Sequence, residues 1–322
     1  MRTICLAALV LLALELSSSA VMAAAPAGGT ASGPARAGDK TTDKTANQPA
    51  PIYVGAYSVD HEFNIVTPEC LDILRTKKIL IGSRSWGLGL GAVMATVDKK
   101  YGINWVNVSG SGRVSPTEMI LPGGLFDRPK VAQFTFFPGP KRFLCLDDFL
   151  RKDPWKFGNQ IDGCLQLIYV CGEKNLDEQY FPVFDQWLKD FPKIKFAICT
   201  HPVSGSGKKA DGTEAKEASD WNLYGQDYSD KVIRKYYGKV PIFDLQDIAS
   251  TRPDGSICSF EYNGKTYRKM WPEYNSSGDL IHVNAPEARQ RLPKGFLILL
   301  TKMFCADKIP QNLNTPKPAI LK

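Results

Sequence analysis

The sequence predicts an α/β fold, a three-layer α/β/α sandwich around a mainly parallel sheet. Two observations lead to this prediction. Short, continuous apolar runs, which are typical of strands buried on both faces, recur along the 322-residue chain. Between them lie segments with helical periodicity, long enough to carry the chain from one parallel strand to the next. Ligands bind such sheets beyond the carboxyl ends of the strands, so the loops at that edge are the first candidates for function.

The first fifty residues are expected to lie outside this fold. Residues 1–24 combine an early positive charge, an apolar run over 4–14 and small residues before a cleavage site, which is the pattern of a secretory signal peptide. An uncleaved membrane anchor is the alternative, although Glu15 and the shortness of the run argue against it. Residues 25–50 have the composition of a disordered linker. We therefore expect a secreted or periplasmic protein with no membrane span after cleavage of the signal.

A single domain is expected over residues 51–305, and local signals mark its two ends. Near the start, Thr67-Pro68-Glu69 predicts a helix, because an N-cap hydroxyl is followed by proline and an acid. Near the end, Asn263-Gly264 predicts a β-hairpin inserted around 256–270. The last residues, 306–322, contain three prolines and are expected to be loose.

Strands and helices alternate between these two signals, in the manner of a flavodoxin-like sheet. The segment 131–137 is either a further strand or part of an insertion. The other predicted strands cover 79–81, 103–108, 165–170, 194–199 and 240–245, and the predicted helices cover 87–101, 176–188, 224–237 and 285–303.

Charge and cysteine content narrow the class of partner. The net charge of +7 is spread along the chain without an arginine-rich arm, so nucleic acid is not an expected partner. The basic excess is an ordinary means of staying soluble, and it would also suit an acidic polymer such as a uronic polysaccharide. No cysteine or histidine spacing suits zinc, so a metal is not predicted. Disulfide pairing and oligomeric state remain open.

The strongest local pattern is KKILIGSRSWGLGLG, residues 77–91. A buried strand, a glycine turn and a helix follow one another there, which presents a serine hydroxyl at the sheet edge beside a helix N-terminus. Ser85 is the candidate nucleophile, and Ser83 is a less favoured substitute. A serine nucleophile needs a base, and His282 has Asp279 three residues before it, ahead of the last helix. The alternative is that Asp279 caps that helix and His282 is a solvated loop side chain.

The order of these motifs resembles that of the SGNH, or GDSL-type, hydrolases. The first block, residues 82–87, is similar to a divergent branch of the family with a Gly-x-x-Ser-x-Gly turn. The second block, residues 107–112, ends in a Ser-Gly pair like that of the family. In the third block, residues 172–175, the asparagine stands one position later than in the family. The fourth block, Asp279 and His282, matches the family's Asp-x-x-His.

The resemblance implies ester hydrolysis by Ser85, His282 and Asp279, without a cofactor. It also implies that the backbone of Gly112 and the side chain of Asn175 donate to the oxyanion. An exported enzyme of this kind would act on a small acyl ester, such as the acetyl group of an acetylated polysaccharide. Two alternatives remain: a polysaccharide O-acetyltransferase with the same triad, and an inactive domain that binds glycans or envelope partners.

Two further residues are candidate substrate contacts. Arg84 stands beside the nucleophile, where it could bind an acidic group of the substrate or be a solvated charge near a turn. His201 follows the predicted strand 194–199 and therefore stands at the edge where substrate is expected.

Overall fold

The computed structural model describes residues 50–83, 94, 96–107, 124–135, 142–166, 176–208, 214–275, 280, 282–310 and 313–321. Its strands are β1 (Tyr53–Val54), β2 (Lys78–Ser83), β3 (Trp105–Asn107), β4 (Lys130–Thr135), β5 (Gly163–Gln166), β6 (Lys195–Cys199), β7 (Gly207–Lys208), β8 (Glu214–Ala215), β9 (Ile242–Phe243), β10 (Ser259–Tyr262) and β11 (Lys265–Arg268). Its α-helices are α1 (Ala56–His61), α2 (Pro68–Arg75), α3 (Arg142–Arg151), α4 (Phe181–Asp190), α5 (Asp220–Tyr236), α6 (Leu245–Ser250) and α7 (Pro286–Phe304). None of these helices has the length and apolar character needed to cross a membrane.

The main sheet has seven strands in the order β1-β9-β6-β5-β2-β4-β3, and each neighbouring pair is parallel. Helices cover both faces, so the predicted three-layer α/β/α class is confirmed. Without β1 and β4, the order of the strands across the sheet is β3-β2-β5-β6-β9. When these five strands are renumbered from 1 to 5 as they occur in the sequence, the order across the sheet is 2-1-3-4-5, which is the flavodoxin-like order. The segment predicted as a strand or an insertion is strand β4, and it lies between β2 and β3.

Two apolar cores lie on opposite faces of the sheet, because successive side chains of a strand point to opposite sides. In β2, Ile79 and Ile81 face the core formed with α2, α6 and α7, whereas Leu80 faces the core formed with α3, α4 and α5. Both faces are therefore buried, which explains why the strands are continuous apolar runs in the sequence.

The helix α2 begins where its sequence predicts. The side chain of Thr67 accepts a hydrogen bond from the backbone N–H of Cys70 at 3.2 Å, and Pro68 occupies the first helical position. The hairpin of β10 and β11 also lies at its predicted place. Asn263 and Gly264 have φ angles of 49° and 72°, the left-handed values that a two-residue type I′ turn requires.

Residues 313–321, which the sequence predicts to be loose, are held against the domain. The ammonium of Lys302, on α7, donates to the hydroxyl of Thr315 at 2.9 Å and to the Glu62 carboxylate at 2.7 Å. Thr315 also donates to Glu62. This buried group joins the beginning of the domain, its last α-helix and its C-terminal segment.

Candidate active site

The predicted serine turn starts at the carboxyl end of β2. Ser83, the last residue of that strand, is 1% exposed. Its hydroxyl donates to the Phe134 carbonyl at 3.1 Å and accepts from the side-chain amide of Gln133 at 2.8 Å. Because this hydroxyl is enclosed and its hydrogen bonds join β2 to β4, Ser83 has a structural role. Ser83 is therefore poorly suited to attack a substrate, and Ser85 is the better candidate nucleophile of the two serines.

The loop that carries His282 is bound to the loop after β6. The backbone N–H of Gly205 donates to the carbonyl of Leu280 at 2.7 Å, and the amide of Asn275 donates to the carbonyl of His282 at 2.6 Å. His282 is half-buried, and the next residue, Val283, is fully buried. Leu280 has a φ of 60°, an uncommon value for a residue other than glycine, so this loop has an unusual backbone conformation as well as fixed partners.

The strand register relates the two loops across the sheet. Gly82 of β2, Gln166 of β5 and Ile198 of β6 stand in one row of paired residues. Neighbouring strands lie about 4.8 Å apart, so the ends of β2 and β6 are about 10 Å apart at the same edge. The serine turn leaves the sheet at one end of this row, and the loop that binds the His282 segment leaves it at the other.

Five of the predicted site residues lie outside the described residues. They are Arg84, Ser85, Gly112, Asn175 and Asp279. Their roles as substrate contact, nucleophile, oxyanion donors and orienting carboxylate therefore stay predictions, and so does the distance from any of them to the His282 ring.

His201 lies at the carboxyl end of β6, as the sequence predicts, but it is 1% exposed. Its Nδ1 donates to the Pro202 carbonyl at 2.6 Å, and its ring has edge contacts with Trp221 and Tyr228 of α5. A Cβ added at Gly225 would come within 2.5 Å of Nδ1, so α5 needs a glycine to approach the ring. This enclosure favours a structural role for His201 over the predicted contact with substrate.

The sequence analysis missed Asp244, which follows β9 at the same sheet edge and is buried. Its carboxylate accepts from Tyr53 Oη at 2.6 Å, from Thr200 Oγ1 at 2.7 Å and from the backbone N–H of Asp247 at 2.9 Å. These bonds connect the ends of β1, β6 and β9 with the start of α6. The predicted strand 240–245 included Asp244, whereas the observed strand β9 ends at Phe243, and Asp244 is the N-cap of α6.

The charges around Asp244 shift its titration. Burial, and then the nearby charge of Asp247, raise the pKa of Asp244 above its usual value. Burial also raises the pKa of Tyr53, and the charge of Asp244 adds to that increase. Arg268 balances part of the negative charge, because its Nη1 lies 2.6 Å from Asp247 Oδ1. A buried carboxylate with a shifted pKa at a strand end is a feature that functional sites share with structural networks.

Within the part of the chain that the structure describes, no group of three or more histidine, cysteine, aspartate or glutamate side chains could hold a metal ion. The described side chains of this edge are hydroxyl, amide, imidazole and carboxylate groups. Such groups can move protons and bind polar ligands directly.

Comparisons with known proteins leave the family of this chain open. No family model matches the sequence, and no curated protein matches it. Among solved structures, the chain is similar to a protein from Streptococcus pneumonia that is provisionally described as a platelet activating factor. The match covers 76% of this chain and 92% of that one, with 11% sequence identity and a TM-score of 0.39.

Proposed function

We propose that this protein is an exported serine esterase or deacetylase that hydrolyses small acyl esters, with acetyl groups on polysaccharide as the expected substrates. One observation carries the proposal. The His282 loop is hydrogen-bonded, through Leu280 and Gly205, to the loop after β6, and the end of β6 shares its edge and its row of paired residues with the end of β2. Ser85 follows the end of β2 by two residues.

In the proposed reaction, His282 removes the proton from the Ser85 hydroxyl as the oxygen attacks the acyl carbon. The backbone N–H of Gly112 and the amide of Asn175 stabilise the tetrahedral oxyanion, and each such donor contributes about 3 kcal/mol. The alcohol then leaves with the proton from His282. Water, deprotonated by the same histidine, releases the acid and restores the serine. Asp279 holds the imidazole in the required orientation and stabilises its charged form.

The substrate class and location in this proposal depend on the first 24 residues, whose pattern is that of a signal peptide. An exported esterase meets acylated polysaccharides of the cell envelope. The reaction needs no cofactor, because the nucleophile, base and oxyanion donors are all side-chain or backbone groups.

The experiment that tests this function is labelling with a serine-directed fluorophosphonate, followed by mapping of the modified residue. We expect modification at Ser85 and loss of both labelling and p-nitrophenyl acetate hydrolysis in Ser85→Ala and His282→Ala. The matched control is Ser83→Ala, which removes a hydroxyl only two residues away and should keep the label. Circular dichroism of each variant separates loss of chemistry from loss of fold.

Three outcomes would contradict the esterase proposal. Labelling of a residue other than Ser85 would show that Ser85 is not the nucleophile. Transfer of the acetyl group to an added sugar in preference to water would indicate an acetyltransferase. A folded parent protein with neither labelling nor turnover would indicate an inactive binding domain.

A further inference from the structure

A cavity of about 740 Å³ opens at the β1–β9 end of the sheet. Its walls come from α1, α5, α6, the hairpin strand β11 and the C-terminal residues 316–320. Two strands, β5 and β6, separate β9 from β2 and the serine turn. His282 is not among the residues that line the cavity. The cavity is therefore separate from His282 and the end of β2, although Asp244 and its neighbours form part of its wall.

The rim of this cavity presents unusual apolar surface. Of the three large hydrophobic side chains that are exposed in the described part of the chain, Tyr57, Ile257 and Tyr262, the first two line the cavity, with exposed fractions of 44% and 48%. The Tyr57 ring is supported by the His61 ring, at a centroid distance of 4.6 Å. An exposed, supported aromatic face in a concave site is suited to a ligand with an apolar face of its own.

The wall of the cavity also contains an unsatisfied donor. Gln246 lines the cavity and is 4% exposed, and its Nε2 has no hydrogen-bond partner among the residues that the structure describes. Its backbone groups are engaged, since its N–H donates to Thr200 Oγ1 and its carbonyl accepts from Ser250. A buried donor without a partner costs about 1–3 kcal/mol, and such groups are rare in folded proteins. Because Nε2 itself has almost no accessible surface, the side chain has to rotate towards the cavity before a ligand oxygen there can supply the missing acceptor.

A candidate acceptor in the lining is Asp230 of α5. It is half-buried, and its side chain has no hydrogen bond or ion pair with the other described side chains. Burial raises its pKa. The lining contains five aspartates against two basic side chains, Arg268 and Lys317. Two of those aspartates are already paired, Asp247 with Arg268 and Asp60 with Arg291. The remaining negative charge disfavours an acidic ligand, although the chain as a whole has a net charge of +7.

We propose that this cavity binds a non-acidic sugar unit, either a neutral hexose or a hexosamine. The apolar face of the sugar ring lies on Tyr57 and Ile257, a ring oxygen or hydroxyl accepts from Gln246, and a hydroxyl or ammonium group donates to Asp230. A pyranose combines an apolar face with donors and acceptors around its edge, which is the combination that these walls offer. The proposal stands independently of the esterase activity.

Isothermal titration calorimetry of the full chain with three tetrasaccharides tests this assignment. The probes are cellotetraose, the β-1,4 tetramer of glucosamine and tetragalacturonate. We expect binding of cellotetraose, of the glucosamine tetramer, or of both, and no binding of tetragalacturonate at physiological salt. Stronger binding of the glucosamine tetramer would identify an ammonium group as the partner of Asp230. Failure of both non-acidic probes to bind, or preferred binding of tetragalacturonate, would overturn the proposal.

Variants locate the site. Tyr57→Ala and Asp230→Asn should each weaken binding about tenfold, which corresponds to about 1.4 kcal/mol. Gln246→Met should also weaken it, but this residue is buried, so the two exposed or half-buried positions keep the test valid if that variant fails to fold. Tyr262→Ala is the matched control, because it removes an exposed tyrosine that does not line the cavity. Equal affinity of Tyr57→Ala and Tyr262→Ala would contradict the assignment.

Ser85→Ala separates this proposal from the proposed function. It should abolish ester hydrolysis and leave the affinity for the tetrasaccharide unchanged. An inactive parent protein that binds the tetrasaccharide would refute the esterase and support the sugar site. An active enzyme that binds neither non-acidic probe would do the reverse.

Discussion

The backbone N–H of Gly205 donates to the carbonyl oxygen of Leu280 at 2.7 Å, across 75 residues of chain, and so fixes the segment before α7 on the loop after β6. Replacement of this glycine tests whether the contact positions His282. Gly205→Pro removes the N–H donor, so the carbonyl of Leu280 loses this hydrogen bond. The loss should lower the stability of the folded protein by about 1–3 kcal/mol. We expect lower esterase activity in this variant, measured as kcat/KM for p-nitrophenyl acetate.

Gly205→Ala is the matched control for this contact. A Cβ at Gly205 would stand 3.5 Å from the Leu280 oxygen, which is an ordinary van der Waals distance, and the N–H would remain. The alanine variant should therefore keep activity near that of the parent. Equal activity of the proline and alanine variants would mean that the hydrogen bond does not position the His282 loop.

The buried ion pair of Glu62 and Lys302 should be necessary for stability. Their side chains are 3% and 8% exposed and their charged atoms lie 2.7 Å apart. Lys302→Met would leave the Glu62 carboxylate buried without its cation, and we expect the free energy of unfolding in urea to fall by about 3–5 kcal/mol. The double variant Glu62→Gln with Lys302→Met should recover part of this loss.

Lys308→Met is the control for a change of the same kind at the surface. Lys308 pairs with Glu69 at 3.1 Å, but these two side chains are 41% and 64% exposed. Loss of an exposed pair costs less than about 1 kcal/mol. If Lys302→Met cost no more than Lys308→Met, the buried pair would not be the link between the N-terminal and C-terminal parts of the domain.

The pH dependence of stability should reveal Asp244. Because its pKa is raised in the folded protein, by burial and then by Asp247, its contribution to stability is fully present below its unfolded value of about 3.9 and is lost as pH rises through the folded value. Asparagine has no such titration. The unfolding free energy of Asp244→Asn, relative to that of the parent, should therefore increase as the pH rises above about 4.

Asp254 supplies the comparison for this pH series. Hydrogen bonds from Ser256 lower the pKa of Asp254, so any contribution from this exposed carboxylate is present at high pH and is lost on acidification. Asp254→Asn should show a flat or opposite trend. A constant difference between Asp244→Asn and the parent across the series would show that Asp244 titrates alike in the folded and unfolded chains.

Five thiols should be unreactive in the native protein. Cys70, Cys164, Cys199, Cys258 and Cys305 are buried and free. Burial, and then the contact with Cys70, raise the pKa of Cys305 to about 12. Because the thiolate is the reactive form, iodoacetamide should modify these residues only after unfolding, as measured by mass spectrometry of native and urea-treated samples. Rapid labelling of any of the five in the native protein would contradict the burial described here.

The parts of the fold that the sequence predicts are those with local signals. The strand β6 contains the continuous apolar run 196–199, α2 has an N-cap threonine and a proline, and the hairpin has an Asn-Gly pair. The strand β1 escaped prediction because its two residues are too short to show a pattern, and only pairing with β9 makes them a strand. The position of β4 between β2 and β3 depends on long-range pairing, which no local signal encodes.

The site was predicted less completely than the fold. His282 is the predicted base because its spacing from Asp279 has a chemical meaning. Asp244 was missed because the predicted strand ran on to residue 245, and because an aspartate at a strand end is equally well explained as a helix cap. Thr315 was missed because its proline-rich surroundings indicate loose chain. Its hydroxyl is bound by the buried ion pair of Glu62 and Lys302, two residues that lie 240 positions apart in the sequence.

The pairing of β1 with β9 has a consequence for how the molecule is made. Tyr53 aligns with Ile242, so one outer strand of the sheet has no partner until almost two hundred more residues have been synthesised. Contacts of such long separation form slowly, and until then the early segment remains extended and open to other proteins. A ribosome-bound chain cannot close the sheet at this end, so completion of the domain has to wait until translation is almost finished.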